Sequence, residues 1–297
     1  MASGLRAGGE GPRARRIAAG LLLAAALGAS LRAAPPQRVV SLVPAVTEMI
    51  FAMGAGDRLV GVSSFDRFPP EVGRLPRVGA LLDPDVERIL SLRPDLVVVY
   101  ATQTELKQRL ARARVPTYSY EHRTLADIAG TLRSLGERLG AEAAANRAAG
   151  DLERAIAQVR ASVAGRPRPR TLLVFDREDA SLRRMYASGG YGFLHDMIEA
   201  AGGTNVLADV RQQAVQASAE LILARRPEVI IELRTGENEA GHVRARDLAA
   251  WNALPSVPAV RSHRVHVLVG QEFVVPGPRV ALAIKRLAAV LHPEIAP

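Results

Sequence analysis

Apolar residues fall along this chain in two alternating rhythms. Short unbroken runs, such as Leu96 through Val99, are separated by stretches in which apolar positions recur every third or fourth residue. The first rhythm is that of a strand buried on both faces, and the second that of a helix with one buried side. Strands are predicted over 38–43, 59–62, 95–100 and 116–120, helices over 47–53, 86–92 and 106–112, and a loop over 65–70. The alternation begins again with strands at 171–175, 228–233 and 265–269 and helices at 192–201, 219–224 and 280–291. Strand and helix in turn define an α/β class with largely parallel sheets.

Between the two runs lies 141–163, which has no proline and one glycine and is dominated by strong helix formers. Leu139, Ala148, Leu152, Ile156, Val159 and Val163 share one stripe at spacings of three and four, or small multiples of them. At the rise of an α-helix this rod spans roughly 34 Å, about the width of a small domain. Gly165, Pro167 and Pro169 end it. The reading is therefore two Rossmann-like lobes, 37–139 and 169–297, joined by one long helix at 140–166 and preceded by a signal peptide at 1–34.

An internal repeat supports two lobes. Val86-Glu-Arg-Ile-Leu-Ser-Leu-Arg-Pro-Asp-Leu-Val-Val-Val-Tyr100 aligns without a gap on Ala219-Glu-Leu-Ile-Leu-Ala-Arg-Arg-Pro-Glu-Val-Ile-Ile-Glu-Leu233. Glu87 and Glu220 thereby open equivalent short helices, where the helix dipole favours a carboxylate. One acid per lobe at one register suggests two matched knobs for a partner with two basic sockets.

Charge and composition narrow the setting. The net charge is +9, but five arginines and one glutamate lie in the first 34 residues, so the remainder holds 34 basic and 29 acidic residues, a net +5. No stretch interleaves basic residues with aromatics as nucleic-acid binding requires. Arg6, Arg13, Arg15 and Arg16, then an uncharged run from Ile17 to Leu31, then small residues before Pro35, have the layout of a secretory signal. No cysteine is present, which excludes thiol catalysis, Cys-ligated clusters and a lipid-modified N-terminal cysteine. These features predict a soluble, monomeric periplasmic protein, released by signal cleavage.

Enzyme signatures are poor: G-x-S-x-G, the P-loop, H-E-x-x-H and a strand-bound G-x-G-x-x-G are all missing. Residues 187–192, Ala-Ser-Gly-Gly-Tyr-Gly, open a helix and have the composition of an anion cradle or of a plain flexible turn. The six histidines are scattered, and no cofactor is implied. Aromatic residues make up only 4% of the chain, yet Phe65, Tyr100, Tyr186 and Phe273 all fall where predicted strands run out into loops. Ligands of α/β sheets bind beyond the carboxyl ends of strands, so four rings there suit a large, partly apolar ligand. Two other readings stay open: an exported α/β hydrolase or corrinoid-handling enzyme using Ser188 or His195, and a zinc or manganese receptor.

The ordered series Arg38-Val-Val-Ser-Leu-Val-Pro-Ala-Val-Thr-Glu48, Phe51-Ala-Met-Gly-Ala-Gly56, Val60-Gly-Val-Ser-Ser64, Phe68-Pro-Pro70, Leu75-Pro-Arg-Val-Gly79 and Glu87 through Leu96 resembles the cobalamin and iron-siderophore periplasmic binding proteins, over residues 37–295. The resemblance implies an ABC importer's substrate-binding protein with two lobes on one helical backbone, a ligand held between them, and little opening motion. It implies that Phe65, Tyr100, Tyr186 and the loop 271–276, with Gln271 and Phe273, lie where corrinoid contacts fall. It also implies that Glu87 and Glu220 dock onto arginines of the permease, which works with its ATPase at the inner membrane. Leu81 and Ala214 stand where the cobalamin branch tends to have tryptophan, and Gln271 and Val275 where it has an acid and an arginine. Ala80 replaces a tyrosine usual in haem-binding relatives, and Arg183, Arg184, Arg211 and Arg234 are cations suited to an anionic ferric siderophore.

Overall fold

The computed structural model describes residues 34–121, 123–235 and 248–295. The predicted signal segment, apart from Ala34, lies outside the described residues, as do His122 and His242. Among the described residues no helix is long and apolar enough to cross a membrane.

The N-terminal half builds a four-stranded parallel sheet from β1 (Val39–Ser41), β2 (Leu59–Val62), β3 (Leu96–Tyr100) and β4 (Thr117–Tyr120), in the order β2-β1-β3-β4. Its central strands are buried on both faces because helices cover both. The helices are α1 (Pro44–Ala52), α2 (Val86–Ser91), α3 (Thr104–Arg112) and α4 (Ala126–Leu139). Pro44 opens α1, three residues ahead of the expected start at 47, since a first-turn position needs no amide hydrogen.

The rod is α5 (Glu142–Ser162), with Ala141 and Val163 as its caps. Leu139 is not on it. It ends α4, a helix unforeseen in the sequence, which Gly140 closes in the left-handed conformation at φ 62°. Only Gly140 and Ala141 part the two helices, so their apolar stripes read as one. The pair packs so tightly that a Cβ on Gly136 would overlap the Ala145 side chain.

The second half forms a sheet in the order β10-β9-β5-β6-β8, with β7 beside β5. The strands are β5 (Arg170–Asp176), β6 (Met185–Ser188), β7 (Thr204–Asn205), β8 (Ala214–Ala217), β9 (Val229–Arg234) and β10 (Val265–Val269). β5, β7, β9 and β10 run parallel, whereas β6 is antiparallel to both β5 and β8, making this sheet mixed. Helices α6 (Phe193–Ala200), α7 (Ala219–Arg225), α8 (Pro258–Arg261) and α9 (Val280–Leu291) flank it. The largest core runs unbroken through both halves: Met49 of α1, Leu132 of α4, Leu152 and Ile156 of α5, and Ile284 and Leu287 of α9 belong to one buried cluster.

The sequence repeat is repeated in atomic detail. Asp85 caps α2 by accepting from Arg88 N at 2.8 Å, and Ser218 caps α7 by accepting from Leu221 N at 3.2 Å. Each helix buries one isoleucine, Ile89 or Ile222, and is followed by an arginine at φ 48°, Arg93 or Arg226, just before a proline. An arginine at the start of each sheet's first strand, Arg38 just before β1 and Arg170 opening β5, then holds that helix end. Arg38 Nη2 donates to Leu92 O at 2.7 Å and Arg170 Nη2 to Arg225 O at 2.5 Å. In return Asp95 accepts from Arg38 N at 2.9 Å and Glu228 from Arg170 N at 2.9 Å. The clamp satisfies carbonyls that a helix end leaves open, and it fixes the helices that carry Glu87 and Glu220.

Candidate ligand cleft

The parallel strands deliver their carboxyl ends to the surface where a ligand of such a sheet is expected. β2 runs out into residues 63–69. There Ser63 Oγ accepts from Phe65 N at 3.1 Å, and the Phe65 ring stands 66% exposed. A ring so open to water has apolar surface to bury, worth about 1.5–3 kcal/mol if fully covered. Tyr100 ends β3, half-buried and edge-on to Tyr120 with centroids 6.1 Å apart. Burial and the nearby Asp66 push its phenol up to about 12, so it stays a hydrogen-bonding hydroxyl. Gln103 holds the following turn, accepting from Tyr100 N at 2.9 Å and donating to Leu81 O at 3.0 Å.

On the second sheet Tyr186 lies inside β6 and not at a strand exit. Its register partner is Asp176, the last residue of β5, which brings the ring to the carboxyl end of that strand. It is 37% exposed, with its centroid 6.5 Å from that of Phe175. Gln271 opens a single 3-10 turn, Gln271–Phe273, just after β10; its side chain is half-buried, and the turn is tied back by Gly270 N donating to Arg234 O at 2.9 Å. Phe273 departs from expectation. Its ring has no exposed surface and lies in the main core, with the Arg286 guanidinium 4.6 Å above it. The ring plugs the core and anchors the loop from below, because a fully apolar side chain gains more there than at a wet rim.

Two polar residues not foreseen in the sequence, Glu48 and Arg279, join the halves, and a third, Asp66, is buried within the first half near Glu48. Glu48, 5% exposed on α1, accepts from Arg279 Nε at 3.0 Å and Nη2 at 2.5 Å. Arg279 also stacks 4.1 Å over the Phe68 ring, and its Nη1 lies 3.6 Å from Glu272, which is paired with Arg286. Burial raises the Glu48 carboxyl, with Arg279 pulling it back down. Asp66 is 0% exposed and its carboxylate oxygens accept no hydrogen bond. A signal existed for Glu48 alone: it is the single charge in the apolar helix Pro44–Ala52. A second junction joins Leu125 N to Asp196 Oδ2 at 2.8 Å.

The stretch 187–192 spends two of its amides within the fold. Gly189 N donates to Gln213 O and Gly190 N to Val210 O, at 3.1 and 2.7 Å, so these amides are already used. Side chains at either glycine would collide with the carbonyls of Gln212 and Ala208; the glycines permit close packing. Ser188 is fully buried, and its hydroxyl donates to Gly189 O at 3.1 Å. His195 is engaged by Asn205 at 3.3 Å, and the Ser188 hydroxyl is spent on a backbone carbonyl, not on a base such as a hydrolase nucleophile requires. Among the described residues no group of three or more His, Asp or Glu converges as metal ligands.

Glu87 and Glu220 are both exposed, two residues beyond their capping residues Asp85 and Ser218. The Ser218 hydroxyl holds the Glu220 carboxyl below its ordinary range.

Residues 39–271 match the model of the periplasmic binding protein family, and the chain is a member of that family, a binding protein and not an enzyme. Such proteins serve an ABC permease with a small-molecule ligand. Among its relatives, the vitamin B12-binding protein of Salmonella typhimurium is 33% identical over 263 residues, covering 88% of this chain and 91% of that protein. That of Vibrio parahaemolyticus is 29% identical over 252 residues, covering 84% and 87%. The crystal structure of the vitamin B12-binding protein BtuF of Vibrio cholerae superposes with a TM-score of 0.72 at 26% identity, covering 86% of this chain and 97% of that one. A periplasmic heme-binding protein from Pseudomonas aeruginosa does so with a TM-score of 0.75 at 26% identity, covering 88% and 95%.

Proposed function

We propose that this protein captures a cobalamin-like corrinoid, or else a ferric siderophore, in the cleft between its two lobes and delivers it to an inner-membrane ABC permease. The observation that carries the ligand class is likeness to vitamin B12-binding proteins across nearly the whole chain. Phe65, Tyr100, Tyr186 and Gln271, at the carboxyl ends of the two sheets, supply the flat, partly apolar surface such a ligand needs. The siderophore reading draws on Arg183, Arg184 and Arg211, which are exposed, and on Arg234 at the end of β9. Arg234 Nη2 is buried without a hydrogen-bond partner and 3.5 Å from Glu232, a carboxylate already taken by Arg177 and Trp251. Calorimetry with cyanocobalamin, haem and a panel of ferric siderophores tests the proposal. Saturable heat with cyanocobalamin supports the corrinoid, heat with a siderophore alone supports the chelate, and silence across corrinoids and siderophores overturns both.

Delivery rests on Glu87 and Glu220. Their equal register on clamped helices, one per sheet, suits two arginine sockets of a permease. Reversing both to lysine is expected to leave ligand affinity unchanged and to weaken complex formation with the permease tenfold or more. Unaltered complex formation would remove them from the interface.

A further inference from the structure

Asp66 sits in the loop that presents Phe65, yet its own carboxyl is fully buried with neither oxygen hydrogen-bonded. Four elements face it: Thr47 and Glu48 from α1, Ser63 from the end of β2, Tyr100 from β3, and Arg77 from the strand-like segment beside β2. Thr47 donates its hydroxyl to Ser41 Oγ at 2.9 Å. Arg77 Nη1 is directed at the backbone carbonyls of Ser63 and Asp66, at 2.9 Å each. Arg67, next in the chain, likewise donates to Ser64 O at 2.7 Å and Asp66 O at 3.1 Å. The cations around Asp66 thus hold the loop's backbone and leave its carboxyl oxygens without a hydrogen bond.

A buried carboxyl in that position is tolerated when neutral and disfavoured when charged. Burial is the main influence on Asp66 and Glu48 adds to it; Thr47, Ser63 and Arg77 oppose it without cancelling it, and the group is pushed up to about 7. Two residues on, Phe68 lies beneath Arg279 of the opposite half, so the loop bridges the exposed ring and the junction of the lobes.

We propose that Asp66 is a positioning residue of the ligand-contact loop, its proton keeping residues 63–69 docked with Phe65 presented and Phe68 under Arg279. Loss of that proton to solvent draws the carboxylate toward water, lifts the loop and withdraws Phe65, so ligand is held more tightly below neutrality than above it. The link to affinity rests on Phe65 being a ligand contact; the loop motion does not.

Hydrogen exchange of the whole protein at pH 6 and pH 8.5, corrected for the intrinsic rate, tests the motion. In the parent, protection over 63–69 is expected to fall about tenfold or more at the higher pH, each pH unit above the carboxyl's midpoint adding up to a factor of ten. The near-isosteric Asp66→Asn, and Asp66→Ser as a second variant, are expected to protect the loop equally at both. Protection in the parent that does not change with pH, or that changes alike in both variants, overturns the proposal. Cyanocobalamin affinity measured alongside is expected to drop between the same two pH values in the parent alone. A ligand that binds with no pH dependence, while the loop does respond, overturns the link to capture. Absence of cyanocobalamin binding at either pH counts against the corrinoid reading and leaves the exchange result to decide the motion.

Discussion

Arg279 Nε lies 3.0 Å from Glu48 Oε2, joining the last helix to the first across 231 residues of chain. The pair is held between a buried carboxylate and a guanidinium one-fifth exposed. Glu48→Ala leaves Arg279 with only the more distant Glu272, 3.6 Å away, at the junction. Removing one member of a fully buried pair costs about 3–5 kcal/mol, and partial exposure of Arg279 brings the expected loss to roughly 2–4 kcal/mol. Urea unfolding measures it. Replacing both residues by leucine is expected to recover most of that loss, because the desolvation of both charges is removed together.

Stability should fall as pH rises toward neutrality. The folded-state carboxyl of Asp66 is raised from 3.8 to about 7, so the unfolded chain gives up that proton first. Its contribution is complete below the unfolded value, declines as pH rises between the two, and is gone above the folded one; Glu48, also raised, adds in the same direction. At about 1.4 kcal/mol per unit the span is at most roughly 4 kcal/mol, less whatever loop opening relieves. Melting curves of the parent and Asp66→Asn are expected to converge at acid pH and to separate at pH 8 with the variant the more stable.

Phe65 and Phe273 should part company when truncated. Phe65→Ala removes an exposed ring and is expected to leave the melting temperature unchanged while weakening ligand binding about five- to thirtyfold, or roughly 1–2 kcal/mol. Phe273→Ala empties a core site, and a loss of about 3–5 kcal/mol is expected in chemical denaturation. Equal effects on both properties in either variant would contradict the placement of these rings.

Gly136→Ala tests the seam between α4 and α5. On an open helix face the change would stabilise by about 1 kcal/mol. Here the new methyl meets Ala145, and overpacking of about 1–3 kcal/mol should outweigh the gain. The exchange Gly136→Ala with Ala145→Gly returns the space and is expected to unfold at a higher urea concentration than the single variant.

Much of the fold was legible because buried strands and amphipathic helices impose their periods on the chain. The bounds of β2, β10 and α9 coincide with the expectation, and the repeat at 86–100 and 219–233 became matching caps, turns and arginine clamps. α4 was hidden because Leu139 is in phase with the next helix across Gly140 and Ala141. β6 and β8, Met-Tyr-Ala-Ser and Ala-Val-Gln-Ala, lack the apolar run that marks the equally short β2, Leu-Val-Gly-Val. The site was legible in part. Pattern located the loops after strands, but which way a ring turns is decided by packing, as with Phe273, and an inward carboxyl such as Asp66 leaves no periodic trace.

The unbroken core has a further consequence. A receptor that closes like a jaw needs a dry joint along which its halves slide apart, and Met49, Ile156 and Ile284 occupy that line as one packed mass. Opening would wet them all. X-ray scattering is therefore expected to give the same radius of gyration with and without ligand, and a marked compaction on loading would contradict it. Such a molecule draws no affinity from swinging shut. A ligand held between the halves, as proposed, would meet a socket cut in advance, with selectivity left to the few side chains at its lip.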